Sequence, residues 1–214
     1  MNTGRRRLIA ELSADLTPIR DAGKTLRKSC IWLCAASATA FLIIYATGPF
    51  RSGSLAQLHQ NPQFLVETLL GIAAIAALGF TAFRTGIPVD VPITKRVSIS
   101  IVLLCLWVAL VAYGLVSPAL EESMAGKREH CYLEALLYGL PGLMVGLMAI
   151  RRLYPLYGAW SGALLGLSAG AMPALIMQFA CMYVPLHIIT HHLLPGMALA
   201  IVGLIAGHFL LRPR

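Results

Sequence analysis

Apolar residues along the chain gather into blocks of about 20, each long enough to cross a hydrocarbon core as a helix whose backbone hydrogen bonds are satisfied internally. Six such blocks stand out, over residues 31–46, 64–83, 97–116, 131–150, 156–179 and 193–211. Gly48 and Pro49 stop the first, and Ser117 and Pro118 stop the third. The pattern predicts an all-α polytopic protein, a bundle of six transmembrane helices.

Two of the blocks hold a proline, Pro141 in the fourth and Pro173 in the fifth. Each removes one helical hydrogen bond and predicts a bend that neighbouring helices accommodate. Small residues recur in the same region, at Gly139, Gly142 and Gly146 and then every fourth residue at Gly158, Gly162, Gly166 and Gly170. Such spacing lets two helix backbones approach closely, so the second run predicts a packing face.

Composition agrees with the pattern. The 214 residues are 58% hydrophobic and 12% charged, with a mean hydropathy of +0.76, more apolar surface than a soluble core of this size can use. Orientation follows from Lys and Arg in the connecting segments. Fourteen fall on one side: Arg5, Arg6, Arg7, Arg20, Lys24, Arg27, Lys28, Arg84, Lys95, Arg96, Arg151, Arg152, Arg212 and Arg214. Three fall on the other, Arg51, Lys127 and Arg128. The asymmetry predicts that both termini are cytoplasmic. It also accounts for the net charge of +8 without nucleic acid, because the basic residues are spread over several loops and not gathered in one patch with aromatics. About 28 mostly polar residues precede the first block, long for the n-region of a cleaved signal, so that block reads as a signal anchor.

With this orientation, segments 49–63, 117–130 and 180–192 face outward, and they carry His59, His130, His187, His191 and His192. Cys131 and Cys181 stand at the outer ends of the fourth and fifth spans, where thiols meet oxidants. Cys30, Cys34 and Cys105 read as small apolar helix residues. Three readings of the outer pair stay open: packing at helix ends, a disulfide switch that needs Cα atoms within about 7 Å, or a soft-metal site completed by imidazoles. His187 and His191 share a face at i, i+4 if their segment is helical, which favours the metal site. Glu67 and Glu134 lie within about a turn of the outer boundary, where hydration or a hydrogen bond at the headgroup level suffices to hold them.

The tail, residues 1–28, is the other informative region. Leu8, Leu12, Leu16 and Ile19, with Ile9 beside them, line one face of a short helix, and Arg7, Glu11 and Asp15 fill another. A helix this short is marginal alone in water, so its apolar stripe wants either the bilayer or a groove on a protein. The chain thus divides into a cytoplasmic amphipathic tail, 1–28, and a six-helix membrane domain, 29–214.

The segments "LIAELSADLTPIR", "NPQFLVETLL", "HCYLEALLYGLPGLMVGLMAIRRLYPL" and "GALLGLSAGAMPALIMQFACMYVPLHIITHHLLPG" resemble the NrsF family of six-span anti-sigma factors over essentially the whole chain. The resemblance implies a bacterial inner-membrane protein that holds an extracytoplasmic-function sigma factor inactive. Taken with the tail's apolar stripe, this makes Leu8, Ile9, Leu12, Leu16 and Ile19 the candidate docking residues for the sigma factor. The resemblance further implies that Cys131 and Cys181 sense heavy metals or oxidants; on the soft-metal reading of the residues, His130, His187 and His191 are possible auxiliary ligands. A small transporter or channel is the competing class, but no span carries a charge near its middle. An oxidoreductase would want a Cys-x-x-Cys pair or paired haem histidines, and neither is present. The chain is therefore read as a regulator with no enzymatic activity and no cofactor.

Overall fold

The computed structural model describes residues 3–14, 25–85, 93–153 and 155–211, which are mostly helical. The order is α1 (Thr3–Ala14), α2 (Thr25–Thr47), α3 (Ser54–Gln60), α4 (Pro62–Thr85), α5 (Ile93–Tyr113), α6 (Cys131–Arg151), α7 (Gly158–Ala180), the single turn α8 (Pro185–His187), a π-helical turn (Ile188–Leu193) and α9 (Leu194–Leu210). Among the described residues the extended backbone amounts to one antiparallel bridge, between Ser123 and Tyr183.

Helix α7 is the axis of the bundle. Nearly all its side chains are buried, and it touches α2, α4, α6 and α9. Its glycine run is the packing face expected from the sequence: a Cβ on Gly162, Gly166 or Gly170 would collide with the carbonyls of Gly203, Leu199 and Gly196 of α9. Backbone-to-backbone contact of this kind replaces the hydrophobic effect, which is weak between helices already surrounded by lipid. Helix α6 meets α7 and α2 in the same manner, with Gly139 against Ala169 and Gly170, and Gly142 against Ala36. Pro141 and Pro173 lie inside α6 and α7, and both helices run through them unbroken.

Polar side chains join the helices where no water is available. Trp32 Nε1 of α2 donates to the Gly142 carbonyl of α6 at 2.9 Å. Ser168 of α7 donates to the Ile75 carbonyl of α4 at 2.8 Å. The hydroxyl pairs Thr81 with Ser100 and Thr85 with Ser161 are each within 3 Å. Interhelical bonds of this sort contribute about 0.6 kcal/mol apiece on average, so they fix register more than they supply stability.

Among the described residues, five helices are long and apolar enough to cross a bilayer: α2, α4, α6, α7 and the run Pro185–Leu210. The third block of the sequence is the exception. Its apolar part is the shorter Val97–Tyr113, because the chain tightens into i to i+3 bonds at Leu115 and Val116 and stops three residues early. At 1.5 Å per residue that stretch reaches about 25 Å, near the lower limit for a span. It nevertheless packs on α4 and buries Leu104, Trp107 and Val111 in the core.

Helix α1 covers the first half of the tail. Its Leu8 and Ile9 are exposed, and Arg7 pairs with Glu11 at 3.2 Å on the neighbouring face. Leu12 falls within the helix; Leu16 and Ile19 lie outside the described residues.

Candidate functional site

One end of the bundle is closed by residues 48–61, 114–130 and 181–193, which fold over the ends of the helices. Ser123 and Tyr183 exchange backbone hydrogen bonds at 3.1 Å, drawing the α5–α6 connection onto the chain that leaves α7. Gly126 makes the turn that allows this. Its φ of +80° suits glycine, and a Cβ there would press on the Ala180 carbonyl.

Beneath this cover, Cys131 is the first residue of α6 and Cys181 is the residue that ends α7. The two helices are joined by a short connection and pack side by side, so their ends meet and the two Sγ atoms stand 3.0 Å apart. Both thiols are free and buried. Ile44, Met177, Ala180 and Met182 surround them. The hydrogen bond with Cys131, assisted by one with His187, draws the Cys181 thiol well below its usual range against the opposing effect of burial. Cys181 is therefore the readier thiolate of the pair.

Two imidazoles complete the group. His187 Nε2 is 3.6 Å from Cys181 Sγ, and one ligand atom from each of Cys131, Cys181, His187 and His192 lies within 4.8 Å of all the others. His191, the partner expected from helical spacing, does share a face with His187, their rings stacked at 4.3 Å, but it is exposed and stands outside the group. The π turn over Ile188–Leu193 explains the exchange. Its wider i to i+5 winding brings residue 192 round to the face of residue 187, where an α-helix would bring residue 191. His130 precedes α6, is exposed and is also outside the group, as is His59 on α3.

Two of the three basic residues assigned to the expected outer loops, the buried Arg51 and the half-buried Arg128, serve this end of the bundle. Arg51 donates to the Cys181 carbonyl at 3.1 Å and to Gln57 Oε1 at 3.0 Å, with its guanidinium 5.7 Å from the centre of the Tyr183 ring. Arg128 caps the end of α2: Nη2 donates to the carbonyls of Ile44 and Gly48, and Nη1 to Thr47 Oγ1 and Glu134 Oε2, all at 2.9–3.2 Å. A cation at a helix C-terminus answers both the unpaired carbonyls and the dipole. The Arg128 carbonyl in turn accepts the Cys131 thiol hydrogen at 3.4 Å. Cys131 is thus one step from the clamp on α2. Glu134 owes its place to this clamp, and Glu67, 1% exposed, accepts from Gln63 at 3.3 Å; neither is left to the headgroups.

Arg128→Ala is expected to destabilise the protein by roughly 3 kcal/mol, since it strips the cap and leaves Glu134 without its cation. The double variant Arg128→Met, Glu134→Gln should recover part of the loss, because no unpaired carboxylate remains. Thermal unfolding of the purified protein reads both, and a single-variant effect within about 0.5 kcal/mol would mean that the clamp is a solvated surface contact.

Compared with known families, residues 12–212 match one described as negative regulator of sigma F. The chain belongs to this family, NrsF. It is a negative regulator of a sigma factor, and NrsF is not an enzyme family. The match takes in the thiol pair, both imidazoles and every helix from α2 onward; Leu8 and Ile9 of the tail precede it. No curated protein and no solved structure matches the chain.

Proposed function

We propose that this NrsF protein is a six-span bacterial inner-membrane anti-sigma factor with both termini in the cytoplasm. It holds an extracytoplasmic-function sigma factor inactive through its amphipathic tail and releases it when heavy metals or oxidants act on Cys131 and Cys181 from outside. The observation that carries this reading is the 3.0 Å approach of the two Sγ atoms at the ends of adjacent antiparallel helices. A disulfide requires them to close by about 1 Å, and thiolate–metal bonds would splay them. Either event favours one spacing of α6 and α7 over another, and a signal can shift an equilibrium only by binding its two states differently. The change has a route inward. Arg128, three residues before Cys131, grips the C-terminal end of α2, and the first residues of α2, from Thr25, are the last of the tail.

A small transporter or channel would share the helical architecture. The family match and the lack of a charged side chain near the middle of any described span speak against it.

The reading requires α5 to cross the membrane. A reporter active only outside the cytoplasm should therefore be active at Gly126 and silent at Val89, which lies outside the described residues, and at Arg214. Equal activity at Val89 and Gly126 would mean that α5 does not cross and would place the two termini on opposite sides. With the topology established, an extracytoplasmic-function sigma factor should co-purify with the protein from unstressed membranes and be lost after cadmium or a thiol oxidant. Absence of the sigma factor from unstressed membranes would overturn the sequestration reading.

A further inference from the structure

We infer that Cys131, Cys181, His187 and His192 form a closed four-coordinate site for one zinc- or cadmium-type divalent cation. This deepens the sensor reading above and rests on the same thiols, but it adds His192 and commits to a ligand class. A tetrahedral site with Zn–S near 2.3 Å and Zn–N near 2.0 Å has ligand-to-ligand separations of roughly 3.3–3.8 Å. The two sulfurs at 3.0 Å, the Cys181–His187 pair at 3.6 Å and the outer limit of 4.8 Å bracket that range. Small side-chain rotations suffice to close the site.

His192 is the independent observation. It is 0% exposed, neither of its ring nitrogens makes a hydrogen bond of full geometry, and the group it faces is the Cys181 thiol. A disulfide between the cysteines would leave that imidazole buried and unsatisfied, whereas a metal ion gives it a bond. Charge points the same way. A dication, two thiolates and two neutral imidazoles sum to zero, which suits a largely buried site with apolar neighbours, and the two thiol protons pass to water on binding. Two sulfurs and two imidazoles select against magnesium and calcium, which want oxygen. Partly exposed His187, stacked on exposed His191, opens the site to solvent. The bound ion would tie the ends of α6, α7 and the run into α9 together.

The test is titration of the full-length, reduced protein in detergent with cobalt(II) alone, without sigma factor. One equivalent should bind with the intense visible bands of tetrahedral coordination and a thiolate charge-transfer band, and zinc or cadmium should displace it. His192→Gln and His187→Gln should each weaken binding by more than the roughly 10–100-fold that follows loss of a ligand's outer hydrogen bond, while His191→Gln and His130→Gln bind as the parent does. His192→Cys, which keeps a ligand at the position, should restore binding with a stronger charge-transfer band. It separates lost ligation from misfolding. An octahedral spectrum, or parent-like binding by His192→Gln, would overturn the site. Cobalt binding without sigma retention in cells would support the site and remove the anti-sigma reading; cysteine-dependent sigma release with no tetrahedral cobalt would do the reverse.

Discussion

Cys131→Ser, Cys181→Ser and the double variant are expected to abolish stress induction to the same extent, each leaving the sigma factor's target promoters at their unstressed level after cadmium or a thiol oxidant. The two buried sulfurs are 3.0 Å apart, closer to each other than Cys131 Sγ is to the Arg128 carbonyl at 3.4 Å or Cys181 Sγ is to His187 at 3.6 Å. Residues that act as one unit are not additive, so the first substitution removes everything the second could remove. Serine keeps the size and a hydrogen bond but forms no disulfide and binds soft metals poorly. Sigma retention in unstressed cells should survive, because the tail is untouched. Promoter output in the three variants under both stresses is the measurement. Losses that add, or full responses throughout, would reduce the pair to packing residues.

The second large effect is expected from the tail. Replacing Leu8, Leu12 and Leu16 together by Asp should leave the sigma factor's promoters fully active without stress. Of the three, Leu8 is exposed, on a helix none of whose described side chains is buried, so its substitution removes no core packing. If that stripe occupies an apolar groove on the sigma factor, introducing carboxylates there costs several kcal/mol, and even about 3 kcal/mol is roughly a 100-fold loss of affinity. The check is membrane fractionation beside promoter output, with the level of the inserted protein as control. A triple variant that inserts normally and still holds the sigma factor on the membrane would overturn docking through this stripe.

These tests rest on features of unequal visibility in the sequence. The helical blocks were legible because a bilayer imposes a local rule, an unbroken apolar run of sufficient length, and nothing distant is needed to read it. The exception illustrates the limit. The block at 97–116 looks complete, but its last residues turn back through bonds at Leu115 and Val116, beside Gly114 packed on Pro185 from the far end of the chain. The four-residue glycine run of α7 was equally legible, since the small residues alone mark a face where a backbone can approach. That its partner is α9, and that both backbones come into direct contact, depends on which helix lies opposite.

The thiol pair was half legible. The short connection between α6 and α7 makes them antiparallel neighbours, and that alone brings Cys131 and Cys181 to one end of the bundle. The fate of the arginines was not. Counting charge treats Arg51 and Arg128 alike as loop cations, but their partners are carbonyls of Cys181, Ile44 and Gly48 that become neighbours only once the helices have assembled. The histidines show the same division most plainly. A sequence read with 3.6 residues per turn pairs His187 with His191, because that period is the default of the isolated backbone. The wider turn over Ile188–Leu193 packs against α6, α7 and α9, and Pro195, which has no N–H for the His191 carbonyl, removes an α-helical bond that would compete with it. The turn rotates His192 inward to the sulfurs and leaves His191 facing out.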